Sequence, residues 1–243
     1  MIPPRFRLRV HEELSSTSDL VAQLAEAGEP DGAAVLARRQ TAGRGTQGRA
    51  WDSRVGNLHL SILLRPSGSL RDAPQWALLA AVALADAVAP LLPDPASLRL
   101  KWPNDLLLNG AKMAGILAEA TADQRGGIAW LSLGIGVNLA HAPQVPGRAT
   151  ACLADLGGPV PAPEAFAGDL LAALDHWRDR QQAEGFAAIR AAWLARGPAP
   201  DAELVVRRGA DVITGRFAGL AEDGGLLLTS DGRLRAIVSG EVA

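Results

Sequence analysis

LRLKWPNDLLLNGAKMAGILAE, residues 98–119, holds two apolar runs, Leu98–Leu108 and Lys112–Glu119, around Asn109 and Gly110. An Asn-Gly pair favours the tight primed turns whose twist suits two antiparallel strands, so the runs are expected to form a β-hairpin. A turn centred there pairs Leu107 with Lys112 and Asp105 with Ala114, and paired residues share a face. Asp105 and Lys112 become diagonal neighbours with backbones roughly 7–8 Å apart. Such a pair is either a surface contact worth at most ~1 kcal/mol or part of a cleft. Within the first run, Lys101, Trp102, Pro103, Asn104 and Asp105 interrupt the apolar pattern with polar groups that face a cleft or the solvent.

Working outward, Leu131, Leu133, Ile135 and Val137 alternate with Ser132, Gly134, Gly136 and Asn138. That is a strand with one packed face and one nearly bare face, which leaves room for a ligand. Leu58–Leu64 alternates in the same way, and Arg5–Val10 and Ala33–Arg39 read as further strands. Ser15–Ser18 offers N-caps to a helix that Gly28 stops. Gln75–Leu92 carries Asp86 and Pro90 and much small alanine, so it reads as a buried helix and not a membrane span. Phe166, Leu170, Leu174 and Trp177, then Phe186, Ile189 and Trp193, repeat at helical spacing. Beyond Pro200 come short strands, Glu203–Arg207, Val212–Leu220, Leu226–Thr229 and Leu234–Val238, which predict a small antiparallel barrel. The Ala- and Pro-rich passage from Ala142 to Pro163 has no readable role.

Thr41–Asn57 is a long loop rich in glycine and arginine. Its core, Gln40-Thr41-Ala42-Gly43-Arg44-Gly45-Thr46-Gln47-Gly48-Arg49-Ala50-Trp51, lets backbone N–H groups approach an anion, with Arg44 or Arg49 as forked donors and Trp51 as a flat surface. Composition alone does not separate such a cradle from a solvated connection.

Charge is nearly balanced, 24 basic against 26 acidic residues, so no global positive field holds nucleic acid or an anionic membrane. The single cysteine, Cys152, forbids an internal disulfide, and the 4 histidines lack metal-ligand spacing. A reduced, cytoplasmic setting fits, and the first ten residues lack the continuous apolar core of a signal peptide.

In order along the chain, Ser15–Asp19, Gln40–Trp51, Lys101–Asp105, Lys112–Glu119 and Gly134–Asn138 resemble the catalytic domain of the biotin protein ligases. The resemblance spans essentially the whole chain and is to the minimal form, without the N-terminal winged-helix DNA-binding domain of some members. It implies an α+β fold: a mixed, largely antiparallel sheet with helices, class II synthetase-like, over residues 1–198, and a small C-terminal SH3-like β-barrel over 199–243. It also implies an AMP-forming ligase that activates biotin with ATP and Mg²⁺ as biotinyl-5′-adenylate and transfers it to one lysine of a biotin carboxyl-carrier domain. No DNA or membrane partner is expected, and a homodimer is left open.

By that resemblance Ser16, Thr17 and Gln40 bond the ureido ring. Gly43, Arg44, Gly45, Thr46, Lys112, Gly115 and Gly134 complete the biotin site. Arg44, Arg49, Trp51, Lys101, Asn104, Lys112 and Asn138 take the nucleotide. Arg44, Lys101, Asp105 and Lys112 carry the chemistry, with Asp105 near the metal and as acceptor of the incoming lysine's proton. The family commonly has a basic residue where this chain has Thr46. The rival readings are a lipoate or octanoyl ligase of the same fold, whose Arg-rich Gly-Gly-Gly loop and His-Asp are not found, and a non-catalytic paralogue that holds biotin or a nucleotide.

Overall fold

The computed structural model describes residues 1–243. Its larger part is a seven-stranded sheet in the order β1-β2-β3-β7-β6-β5-β4. The strands are β1 (Arg7–Leu14), β2 (Ala33–Gln40), β3 (Leu58–Leu64), β4 (Leu98–Lys101), β5 (Asp105–Leu108), β6 (Ala111–Ala122) and β7 (Ile128–Val137). Only β1 and β2 run parallel; every other neighbouring pair is antiparallel. The mixed, largely antiparallel sheet expected from the sequence is therefore what forms.

Alternation decides the layers. Leu58, Leu60, Ile62 and Leu64 of β3 and Leu131, Leu133, Ile135 and Val137 of β7 are all buried in one continuous core. Three helices cover that face: α2 (Ala73–Val88), α3 (Pro163–Glu184) and α4 (Phe186–Leu194). Helix α2 is the apolar segment noted in the sequence, and its residues from Trp76 to Ala85 are all buried, which makes it a core helix. Asp86, the charge within it, accepts from the Trp177 indole at 2.7 Å and from Arg196 at 2.6 Å, tying α2 to α3 and to the turn after α4. Pro90 has no N–H to continue the α-helix, and the chain tightens into a 3₁₀ turn at Ala89–Leu91.

The opposite face carries only α1 (Thr17–Glu26), packed through Val21 and Ala25 on Ala33, Val35 and Leu63. Beyond α1 this face stays open, because β7 presents Gly134 and Gly136 there. The loop from residue 41 to 57 closes over that opening.

The Asn109–Gly110 turn is of the expected kind, with φ of 51° and 80° at its two central residues, the left-handed pair a primed turn demands. Leu107 faces Lys112 as expected, but Asp105 faces Gly115 and not Ala114. A bulge at Met113 shifts the register by one residue. Met113 is fully buried, so the extra residue packs into the core, and Lys112 and Gly115 come to the same side of the sheet.

The second sheet has five strands in the order β11-β10-β9-β8-β12: β8 (Glu203–Arg208), β9 (Asp211–Leu220), β10 (Leu226–Ser230), β11 (Arg233–Ile237) and β12 (Glu241–Val242). Sequence periodicity does not mark β12. Val206, Phe217, Leu226 and Leu228 join the same core as the large sheet, and the Trp102 indole donates to the Gly224 carbonyl at 3.1 Å. The barrel is thereby seated against the turn between β4 and β5, close to the open face.

Candidate active site

The open face holds a cavity of about 630 Å³ walled by the start of α1, the loop from Gln40 to Arg54, and strands β3, β6 and β7. One end is a cluster of buried hydroxyls. Ser16, Thr17, Ser18 and Ser61 are all below a tenth exposed. Thr17 Oγ shares a hydrogen with Ser61 Oγ at 2.7 Å, and Ser18 Oγ lies 3.1 Å from Ser61 Oγ. Gln40 Oε1 accepts from the Thr17 backbone N–H at 2.8 Å, and its amide donates to Ser53 Oγ at 2.9 Å. Ser16 stands at the N-cap but makes no side-chain cap bond, so its hydroxyl is free for the cavity. Buried hydroxyls are costly unless partnered, and these sit where a ligand can complete them.

Glycines cut the floor. A Cβ on Gly134 would lie 2.9 Å from Ser18 Oγ, and one on Gly136 would lie 2.5 Å from the Trp51 indole. The Trp51 ring therefore rests directly on the strand backbone. Its N–H is buried without a partner, and the Lys112 ammonium stands 5.7 Å from the ring centroid. Gly43, in contrast, is a packing position: a Cβ there would meet Ser53 Oγ at 2.4 Å and the Gln40 amide at 2.9 Å. Gly43 thus seats the loop and does not line the cavity.

Cations line the same cavity. Arg44, Arg49, Arg54, Lys112 and Arg148 all line the cavity. Arg44 pairs with Asp19 at 2.5 Å and with Glu119 at 3.7 Å; burial works against its charge, but the two carboxylates outweigh it and raise its pKa. Lys112 reaches the cavity wall while bonding Asp105 at 2.5 Å, with side chains only 15% and 6% exposed. The Met113 bulge makes this possible by carrying the Lys112 chain across Gly115, whose added Cβ would lie 3.3 Å from the ammonium. The pair expected from the hairpin forms, and it is a buried pair and not a surface one.

Asp105 and Lys101 do not line the cavity. Asp105 is committed to Lys112, and Lys101 is half-buried opposite it across the β4–β5 pair; burial above all holds the Lys101 pKa below the ordinary lysine value. No group of three or more His, Cys, Asp and Glu side chains gathers in the chain to hold a metal ion. Asn104 and Asn138 both line the cavity. Asn104 donates to the Ile116 carbonyl at 2.6 Å, while Asn138 donates to Ala151 at 3.1 Å and keeps a buried, unpartnered Oδ1.

Sequence reasoning missed Ser18, Ser61, His59 and Arg148. For the first three the signal is present: a hydroxyl beside a cap, and polar residues inside an otherwise apolar strand. His59 is 1% exposed and lines the cavity. Its Nε2 lies 3.2 Å from the Arg54 carbonyl, which places the proton on Nε2 and leaves the unpartnered Nδ1 an acceptor. Burial, opposed by the Arg54 contact and Asp52, lowers the His59 pKa. The folded chain then resists protonation that the unfolded chain accepts near pH ~6.5. Stability is expected to be level above that value and to fall as pH drops below it. Thermal melts from pH 7.5 to 5.5 should show a shallower fall in His59→Gln than in the wild type, and parallel slopes would contradict this.

One cavity thus combines a hydroxyl pocket suited to a neutral polar head, a glycine-cleared floor, and cations suited to anions. Residues 10–138 match the Biotin/lipoate A/B protein ligase family, and residues 205–243 match the Biotin protein ligase C terminal domain. The chain belongs to that ligase family, and within it to the biotin protein ligases. It is 40% identical to the Biotin--[acetyl-CoA-carboxylase] ligase of Paracoccus denitrificans over 86% of this chain and 88% of that one. It is 34% identical to the ligase of the same name from Mycobacterium tuberculosis, over 94% and 85%. The biotin protein ligase of Aquifex aeolicus, solved in complex with biotin and ATP, superposes with a TM-score of 0.80 at 26% identity, covering 98% of this chain and 97% of that chain.

Proposed function

We propose that this chain activates biotin with ATP to biotinyl-5′-adenylate and transfers it to one lysine of a biotin carboxyl-carrier domain. The observation that carries the reading is the buried hydroxyl cluster of Ser16, Thr17, Ser18 and Ser61 at one end of the cavity. A ureido ring has N–H donors and a carbonyl acceptor for such hydroxyls. The dithiolane of lipoate has neither and would leave them unpaired, at about 1–3 kcal/mol for each stranded group. The same cluster therefore disfavours the lipoate reading.

In the first step a biotin carboxylate oxygen attacks the α-phosphorus of ATP and pyrophosphate leaves. Two anions must approach, so preplaced positive charge lowers the barrier. Lys112 and Arg44 suit the carboxylate and α-phosphate, and Arg49 the phosphates beyond. Trp51 and the free Oδ1 of Asn138 offer adenine a stacking face and an acceptor for its amino group. In the second step a neutral lysine amine attacks the carbonyl carbon of the mixed anhydride, the C–O bond to AMP breaks, and the proton shed by the amine passes to the departing phosphate or to solvent. Asp105 serves here as the positioning partner of Lys112. Magnesium, which shields phosphate charge, would take its ligands chiefly from the nucleotide, since the chain supplies no cage of its own. The buried, unpaired Cys152 suits a reducing, cytoplasmic setting.

Incubating the purified chain with ATP, Mg²⁺ and either biotin or lipoate, and measuring pyrophosphate exchange, tests the assignment. Exchange dependent on biotin is expected. Equal or greater exchange with lipoate would reverse the substrate.

A further inference from the structure

Two buried polar atoms of opposite kind stand unpartnered on one rung of the cavity floor, and neither reaction step uses them. His59 of β3 is the cross-strand partner of Gly136 of β7, which in turn pairs with Gly115 of β6. The Trp51 ring lies across the two glycines. A Cβ on Gly115 would meet its Cζ3 at 3.2 Å, and one on Gly136 would meet its Nε1 at 2.6 Å. From Cζ3 to Nε1 the indole thus runs from β6 towards β3, and its N–H points to the strand that carries His59.

The two atoms do not bond each other, and no other group bonds either of them. The His59 proton lies on Nε2, towards the Arg54 carbonyl at 3.2 Å, so Nδ1 is an acceptor. Burial keeps the ring neutral by lowering its pKa. A lone donor therefore faces a lone acceptor across a gap. Whatever satisfies both must accept on one side and donate on the other, which a hydroxyl does with a single atom.

Position decides whose hydroxyl. Alternate residues of a strand share a face at steps of about 7 Å. Ser61, in the pocket assigned to the ureido ring, is one such step from His59. Asn138, whose free Oδ1 suits the adenine amino group, is one step from Gly136 in the opposite direction. The rung of His59 and Gly136 thus falls between head group and base. An indole stacked on adenine turns its in-plane N–H away from that base's own edge, and the ureido ring is held a rung away. Between them an adenylate carries its ribose.

We propose that the Trp51 N–H and His59 Nδ1 together hold one hydroxyl of the nucleotide's ribose, so that the site selects a ribonucleotide over its deoxy form. This rests on the reading of the cleft as an adenylate-forming site. A site built to bond a hydroxyl rejects the analogue that lacks it, because its own buried groups are then left unpaired.

The test is biotin-dependent pyrophosphate exchange by the full chain with ATP, 2′-deoxy-ATP and 3′-deoxy-ATP, in wild type, His59→Phe, His59→Asn and Trp51→Phe. In the wild type, kcat/KM for one of the deoxynucleotides should lie at least about tenfold below that for ATP. In His59→Phe and Trp51→Phe the three nucleotides should become nearly equal. His59→Asn, whose amide oxygen stands close to the place of Nδ1, should restore part of the preference, which a merely structural role for the ring would not do. A wild type that uses all three nucleotides within about twofold would overturn the proposal. So would a preference for ATP that survives undiminished in both His59→Phe and Trp51→Phe. Calorimetric binding of adenosine and its two deoxy forms makes the same comparison without catalysis. A chain that prefers adenosine there yet exchanges no pyrophosphate with biotin would keep the hydroxyl site and remove the ligase reading instead.

Discussion

Replacing Lys112 with alanine is expected to slow modification of the carrier at least tenfold, about 1.4 kcal/mol of barrier, and to cost stability as well. The two effects have one source. Lys112 is the cation on the cavity wall nearest the Trp51 ring and the partner of a carboxylate only 6% exposed. Removing it strips the buried Asp105 of its hydrogen-bonded partner and leaves only Lys101 opposite it, a loss of up to about 3–5 kcal/mol. The hairpin alone, read as placing both side chains on one ligand cavity, suggests variants that fold normally; the burial of the pair changes that expectation. Asp105→Asn should slow turnover by a similar factor because the ammonium loses its anchor. The double replacement Lys112→Ala/Asp105→Ala separates the terms: with both charges gone, stability should recover most of the loss while activity stays low. Chemical denaturation and carrier modification measured on the three variants check this, and near-normal turnover in all of them would return the pair to a structural role.

Thr46→Arg is expected to retain the adenylate roughly 5 to 150 times longer. A missing charged donor to a bound anion costs on the order of 1–3 kcal/mol, and that range converts directly to the ratio of release rates. Thr46 lines the cavity, and Arg49 already reaches it, with Nη2 2.9 Å from the Thr46 hydroxyl and Nε 3.3 Å from its carbonyl. Transfer needs only that the adenylate survive until the carrier docks, so the wild type should modify its carrier while releasing some activated biotin onto exposed lysines of other proteins. Adenylate dissociation and labelling of a bystander protein, compared between wild type and Thr46→Arg, decide it. Equal release rates would mean that Arg49 supplies the contact.

Much of the fold is legible because local chemistry and global packing agree. The Asn109–Gly110 turn demands left-handed backbone that these residues tolerate, and it has it. The bare face of β7 is written in Gly134 and Gly136, and the apolar run around Asp86 reads as a core helix because α2 is one. The bulge at Met113 is not legible, since an extra residue in a strand is a compromise with the core beneath it and leaves no period in the sequence. The site divides along the same line. Ser16, Thr17, Gln40, Trp51 and Lys112 belong to local patterns, and all line the cavity. Gly43, Lys101 and Asp105 belong to the same patterns but pack beside it, because a motif names neighbours in sequence without saying which of them turns inward. Arg148 and Glu241 are 93 residues apart, and an ion pair at that separation has no signature along the chain.

The central claim is that the hydroxyl cluster and the cations of one cavity together convert biotin and ATP into a biotinylated carrier. Intact-mass measurement of a carboxyl-carrier domain incubated with the chain, ATP, Mg²⁺ and biotin tests it most directly. The account predicts the mass of a single added biotin, dependent on ATP and absent when the carrier's acceptor lysine is replaced by arginine. An unmodified carrier in the complete mixture would contradict it.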